Sequence, residues 1–229
     1  MGKLKVKAVI SDLDCTLVYT LRRFFEVFND GLVKRGMKPL PLELFFKHYT
    51  DDTLDDVVAH PSEEGREEKL HEFWMEFLWK YREEDPRAIV IPGVVEALEK
   101  INKAEIPVAI MTSCIVPVRR LKKELDSLGI GKYVREIATA HDVLEKLESG
   151  HHFSKVDIIR LAAERLQVFP KSCVVVGDYW NDIRDGKKLG CKTVAVLTGL
   201  MRKELLMKYH PDVIVEGFAD VPEVLGLRG

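Results

Sequence analysis

Five short apolar runs recur along the chain, with polar residues and stretches of helical spacing between them. The first, Val6 to Ile10, ends on Ser11-Asp12. The others are Val108-Ala109-Ile110-Met111, Cys173-Val174-Val175-Val176, Thr193-Val194-Ala195-Val196 and Val213-Ile214-Val215. None shows the in-out alternation of a half-exposed strand, so they read as strands covered on both faces. Helical patterns run from Val94 to Lys103, Val116 to Leu128, Lys155 to Leu166, Trp180 to Leu189 and Lys203 to Lys208. Strand alternating with helix predicts an α/β fold built on a parallel sheet with crossover helices.

Residues 18–87 break this rhythm. Leu21, Phe24, Phe25, Phe28 and Leu32 keep helical spacing, and so do Leu70, Phe73, Trp74, Phe77, Leu78 and Tyr81. Pro39, Pro41 and Pro61 separate the helices, and no strand pattern lies between them. The pattern predicts a small helical subdomain inserted after the first strand, with the aromatic stripe as its core. Ile89-Val90-Ile91-Pro92-Gly93 then returns the chain to the α/β body.

Composition narrows the function classes. A hydrophobic fraction of 46% and a charged fraction of 31% describe an ordinary globular protein. A formal net charge of −2 gives no footprint for nucleic acid or for a membrane surface. No apolar run has the length of a membrane span or of a signal peptide, so a cytoplasmic location is expected. Cys15, Cys114, Cys173 and Cys191 lack C-x-x-C spacing, which argues for free thiols and against zinc.

Four polar clusters carry candidate chemistry: Asp12-Leu13-Asp14-Cys15-Thr16, Thr112-Ser113, Lys155, and Gly177-Asp178 through Asp182. The first, second and fourth follow strand candidates, and ligands of open α/β sheets bind at the carboxyl ends of strands. Carboxylates gathered there repel one another unless a hard divalent cation joins them, and magnesium suits two or three carboxylates plus a phosphate. Phosphoryl transfer needs an in-line nucleophile, a bridging cation, further positive charge and accurate positioning. Asp12 supplies a candidate nucleophile, Asp178 and Asp182 a metal site, Lys155 charge compensation, and Thr112 and Ser113 phosphate-binding donors. Asp14 returns to the Asp12 side of the chain and is placed to protonate a leaving oxygen. Each also has a plain reading, as a helix cap or a solvated charge, and the order of all four clusters outweighs it.

That order, D-x-D-x-T, then Thr-Ser, then Lys, then G-D-x-x-x-D, resembles the haloacid dehalogenase superfamily. The similarity extends over nearly the whole chain, through Arg160-Leu161-Ala162-Ala163 and Asp185-Gly186, and favours the phosphoglycolate phosphatase-like subgroup. It implies a doubly wound, Rossmann-like core of residues 1–17 and 88–229, with residues 18–87 as a helical cap. It further implies a Mg2+-dependent phosphatase for a small phosphorylated metabolite, working as a monomer or homodimer. Asp12 is then the nucleophile and Asp14 the general acid/base, while Asp12, the Asp14 carbonyl and Asp178 hold the metal with Asp182 in support. Three positions depart from the pattern: Cys15 for the usual glycine, Val156 for proline, and Val18-Tyr19-Thr20 for an acidic-serine continuation. Cys15 is expected to crowd its turn or to sensitise it to oxidation.

Rival activities on the same fold are a 2-haloacid dehalogenase, which has no use for Asp14, Asp178 and Asp182, and a sugar phosphomutase. A phosphonatase needs a cap lysine, for which Lys47 is the best placed, and a non-catalytic binding protein would have lost at least one of Asp12, Asp14, Lys155 and Asp178. The pair His151-His152 reads as loop, the acids Asp51, Asp52, Asp55 and Asp56 as a solvated helix start rather than a second metal site. Arg22 and Arg23 read as surface charge. Specificity is expected in the cap loop near His48-Tyr49-Thr50-Asp51.

Overall fold

The computed structural model describes residues 3–82, 88–148 and 154–227. The strands are β1 (Ala8–Asp12), β2 (Val18–Tyr19), β3 (Ile89–Val90), β4 (Val108–Thr112), β5 (Glu136–Thr139), β6 (Cys173–Gly177), β7 (Lys192–Val196) and β8 (Val213–Val215). Helices α1 (Leu21–Lys34), α2 (Leu42–Asp51), α3 (Leu54–Val58) and α4 (Arg66–Lys80) fill the interval between β2 and β3. Then come α5 (Val94–Lys103), α6 (Val118–Ser127), α7 (Leu144–Glu148), α8 (Val156–Arg165), α9 (Trp180–Lys188), α10 (Lys203–Met207) and α11 (Val221–Val224).

The main sheet is parallel and six-stranded in the order β5-β4-β1-β6-β7-β8. Strands β1, β4 and β6 are buried at every position, which is why their sequences carry no alternation. The chain winds outwards from β1 through β4 to β5, then crosses back to β6 and continues to β8. The switch point of this doubly wound topology therefore lies where β4 and β6 flank β1, the usual place for a ligand crevice. Register aligns the strand ends there: Asp12 pairs with Met111, and Ser11 with Val176. Thr112 thus follows Met111 by one residue and Asp178 follows Val176 by two, which brings both out beside Asp12.

Strand β5 was not expected. It is an edge strand, paired only with β4, and Glu136-Ile137-Ala138-Thr139 holds a single large aliphatic residue, so no apolar run announces it. The ribbon of β2 and β3 was not expected either; Val18 pairs antiparallel with Val90 and Tyr19 with Ile89. The chain enters the helical segment along one strand of this ribbon and leaves it along the other.

Within that segment α1 and α4 pack through an aromatic cluster. Phe24 lies 4.6 Å from Phe77 between ring centroids, and Phe28 lies 5.2 Å from Phe73. Phe28, Phe45 and Phe73 are almost wholly enclosed. Each such ring stabilises the fold by roughly 1.5–3 kcal/mol relative to an exposed one. Gly31 lets α1 approach, since a side chain there would press on the Phe73 ring.

Candidate active site

Asp12 ends β1, and Lys155 reaches it from the position just before α8; Lys155 Nζ donates to Asp12 Oδ1 at 2.7 Å and to Asp182 Oδ1 at 2.6 Å. The Lys155 backbone N–H donates in turn to Asp185 Oδ2 at 2.7 Å, which fixes where the side chain starts. Asp182, in the first turn of α9, accepts the Tyr179 N–H and so closes the turn that follows β6. Asp178 accepts a 2.7 Å hydrogen bond from Thr16. A Cβ on Gly177 would overlap the Asp182 carboxylate, and one on Gly199 would overlap that of Asp178, so both glycines give the carboxylates room.

Asp12, Asp178 and Asp182 are buried, and one carboxylate oxygen from each lies within 4.8 Å of the others. Three acids thus gather near one ammonium group, which bonds to Asp12 and Asp182 but not to Asp178. Burial pushes the Asp12 carboxyl well above its ordinary range; Lys155 pulls it back, and Asp182 and Asp178 add to the rise. Burial, with Asp182 next, lifts Asp178 to about 7. Burial alone would lower Lys155, yet Asp12 and Asp182 hold it well above the usual lysine value. A buried carboxylate cluster short of positive charge, made wholly of hard oxygen donors, has the chemistry of a magnesium site.

Asp14 lines the same cavity. Both its oxygens accept from Arg82 at 2.6 Å, and Thr112 Oγ1 and Cys114 Sγ approach Oδ2 at 3.5 and 3.6 Å. Burial raises its carboxyl, and Arg82 with Arg23 more than offsets this, leaving it below the ordinary carboxylate range. Thr112 also accepts the Cys114 N–H at 3.1 Å, and the buried Ser113 Oγ, from a residue that lines the cavity, has no hydrogen-bond partner among the described residues. All seven of the proposed site residues therefore gather at one end of the sheet, except that Asp182 stands behind the cavity wall and not on it.

Two arginines depart from the sequence reading. Arg22 is exposed and pairs with Glu26, but the Arg23 side chain is only 11% exposed and stacks on Tyr81. Arg82 was not singled out at all, although it is buried between Asp14 and Glu124. Its signal was a charge four residues after Leu78, on the apolar face of α4 extended by one turn. The acids of the cap loop differ in setting: Asp55 is half-buried and Asp52 exposed, and both line the cavity. Lys47 is exposed and is not among the described residues of that lining. His151 and His152 lie outside the described residues. Cys15 adopts a left-handed φ of 59°, the conformation a glycine takes freely and a residue with a side chain adopts at a cost. Burial and the neighbouring Asp178 raise its thiol far above the usual value, which opposes the thiolate chemistry that oxidation requires.

Comparisons with known proteins agree with this fold. The family model described as haloacid dehalogenase-like hydrolase matches residues 9–196. Pyrophosphatase PpaX from Bacillus velezensis is 28% identical over 98% of this chain and 98% of its own length. A phosphoglycolate phosphatase from Salmonella choleraesuis is 30% identical over 60% of this chain and 52% of its own length. The solved structure of a predicted phosphatase from Clostridium acetobutylicum superposes with a TM-score of 0.71 at 18% identity, covering 98% of this chain and 100% of that one. With its parallel sheet, its acids at the ends of β1 and β6, and a family match over most of its length, the chain belongs to the haloacid dehalogenase-like hydrolases.

Proposed function

We propose that the protein is a magnesium-dependent phosphomonoester hydrolase that passes through a phospho-aspartate on Asp12. The observation that carries this reading is the buried cluster of Asp12, Asp178 and Asp182 around Lys155, opening on a cavity at the sheet's switch point. Asp12 and Asp178, with the Asp14 carbonyl and with Asp182 behind, would hold the cation. Bound there, magnesium supplies charge neutralisation between the phosphate and the carboxylates.

The chain's own groups account for the remaining chemistry. Lys155 orients Asp12 and offsets phosphate charge, and the Ser113 Oγ, unpartnered among the described residues, is with Thr112 a candidate donor to a phosphate oxygen. Asp12 attacks phosphorus, and the ester oxygen leaves as the alcohol with a proton from Asp14. A water then attacks the phosphorus of the phospho-aspartate while Asp14 takes its proton, which returns Asp12 and releases inorganic phosphate. Held by Arg82, Asp14 is a carboxylate, the form that activates water. To serve as the acid it must first leave Arg82.

The division into a core of residues 1–17 and 88–229 and a cap of residues 18–87 gives that release a cause. Arg82 follows α4, while Asp14 belongs to the core, so a small shift of the cap against the core would loosen the pair with the cavity still closed around substrate. One expected hinge lies near Leu17-Val18; the other, near Pro86-Arg87, falls outside the described residues. Among the described residues no helix is long and apolar enough to cross a membrane. The acid cluster favours phosphate hydrolysis over halide displacement, which needs no cation.

The test is metal removal. After exhaustive chelation, p-nitrophenyl phosphate hydrolysis is expected to fall at least about a hundredfold and to return with magnesium. Magnesium is also expected to raise the thermal midpoint, because binding the folded state relieves the carboxylate repulsion. Full activity in the chelated enzyme would refute the metal-dependent mechanism.

A further inference from the structure

Away from Asp12 and Lys155, the cavity of about 200 Å³ runs between α2, α4 and the start of α9. Its wall is aromatic. Phe24 lies 5.2 Å from Tyr49 and 6.1 Å from Trp74 between ring centroids, Trp74 lies 5.2 Å from Phe77, and Tyr49 lies 6.4 Å from Tyr179.

Two carboxylates interrupt that wall, and their partners set them apart from their neighbours in the same loop. Asp51 pairs with Arg202 at 2.6 Å and Asp56 with Arg66 at 2.9 Å, outside the cavity lining. Asp52 and Asp55, which do line it, accept hydrogen bonds from aromatic edges instead: Asp52 from the Tyr179 hydroxyl, Asp55 from Trp74 Nε1 at 2.7 Å. Among the described residues neither has a cation at ion-pair distance. Burial pushes the Asp55 carboxyl up, and the Trp74 hydrogen bond and the more distant Arg66 only partly counter this. Lys155, already bonded to two aspartates, is the one Lys or Arg among the described residues of the lining.

Electronegative ring faces and carboxylates attract cations and repel anions. A leaving group with a carboxylate or a second phosphate would meet both repulsions at once. The wall therefore disfavours the substrates for which the relatives are named, pyrophosphate and phosphoglycolate. We infer that the substrate is a phosphomonoester whose alcohol carries a positively charged nitrogen, an amine or a quaternary ammonium, seated among Asp52, Asp55 and the rings of Tyr49, Trp74 and Tyr179. The inference rests on the phosphatase reading above for the phosphate end, and on the cavity wall alone for the cationic end.

The experiment compares phosphocholine with neohexyl phosphate, the neutral isostere that has carbon in place of the ammonium nitrogen. The wild type is expected to favour phosphocholine in kcat/KM by roughly tenfold or more. The two alcohols differ in acidity, but that difference is common to all variants, so the change in the ratio reports recognition. In the double variant Asp52→Asn, Asp55→Asn the ratio should fall toward the value set by leaving-group acidity alone. Asparagine still accepts the Tyr179 and Trp74 hydrogen bonds, and it tolerates the left-handed φ of 57° at position 52.

A second arm needs no turnover: choline and neohexanol are titrated against tryptophan fluorescence, since Trp74 and Trp180 both line the cavity. Tighter binding of choline, weakened by added salt, supports the inference. Equal binding of the two, or a kcat/KM ratio unchanged in the double variant, overturns it. Hydrolysis of p-nitrophenyl phosphate separates the two failures: an active enzyme indifferent to the ammonium group retains the phosphatase reading and loses this one.

Discussion

Asp12→Asn is expected to lower kcat by at least about 10⁴-fold for every phosphate ester while leaving the fold intact, because it removes the nucleophile at constant volume. The fold is expected to survive because Lys155 keeps its 2.6 Å bond to Asp182 and its backbone bond to Asp185. Replacing a carboxyl group that burial already disfavours in its charged form also removes a destabilising charge from the metal-free protein. The measurements are steady-state phosphate release and circular dichroism on the same preparation. A native spectrum with more than about a hundredth of wild-type activity would be incompatible with a nucleophilic Asp12.

The second large effect is expected at Arg82. Its guanidinium is buried between Asp14 and Glu124 and joins the end of the helical segment to the catalytic loop and to α6. Arg82→Met fills similar space but leaves two acids in a buried setting without their shared cation. Breaking such a pair by removing one member costs about 3–5 kcal/mol. For a chain of this length that corresponds to a fall of roughly 6–20 °C in the thermal midpoint. The sign of the pH dependence follows from Asp14, whose carboxyl lies below the reference 3.8 in the folded protein. The stability it contributes is complete above that reference value and disappears as pH falls through the depressed folded value. The gap between wild type and Arg82→Met should therefore be widest near neutrality and narrow below about pH 4. Thermal unfolding across that range checks it; a gap that widened in acid would show that Asp14 gains nothing from Arg82.

Much of the site was legible because its residues sit at the ends of recognisable apolar runs. Once β1, β4 and β6 are read as neighbours at a switch point, Asp12, Thr112 and Asp178 must converge, and the fold brings them together. Lys155 was legible by its type, a cation at the start of a helix where the helix dipole disfavours it. What escaped were features created by tertiary pairing. Arg82 meets Asp14 across 68 residues of sequence, and no local pattern distinguishes it from the charges around it. Arg23 follows Arg22 directly, yet one turns to solvent and the other against Tyr81, a difference set by the angle at which α1 packs. Asp52 and Asp55 lie between Asp51 and Asp56 in what reads as one solvated acidic stretch. Only the placement of Tyr179 and Trp74 turns two of the four towards the cavity. Edge strand β5 escaped for a related reason: burial against a single neighbour requires few apolar residues.

The account depends most on the covalent intermediate, and borohydride quenching during turnover tests it directly. The reagent reduces an acyl phosphate to the alcohol, so a phospho-aspartate at position 12 becomes homoserine, which peptide mass spectrometry identifies. Homoserine at position 12, formed only when a phosphate ester and magnesium are both present, is the predicted result. An enzyme that releases phosphate at full rate with Asp12 unmodified, or with the label on Asp14 or Asp178 instead, would contradict it.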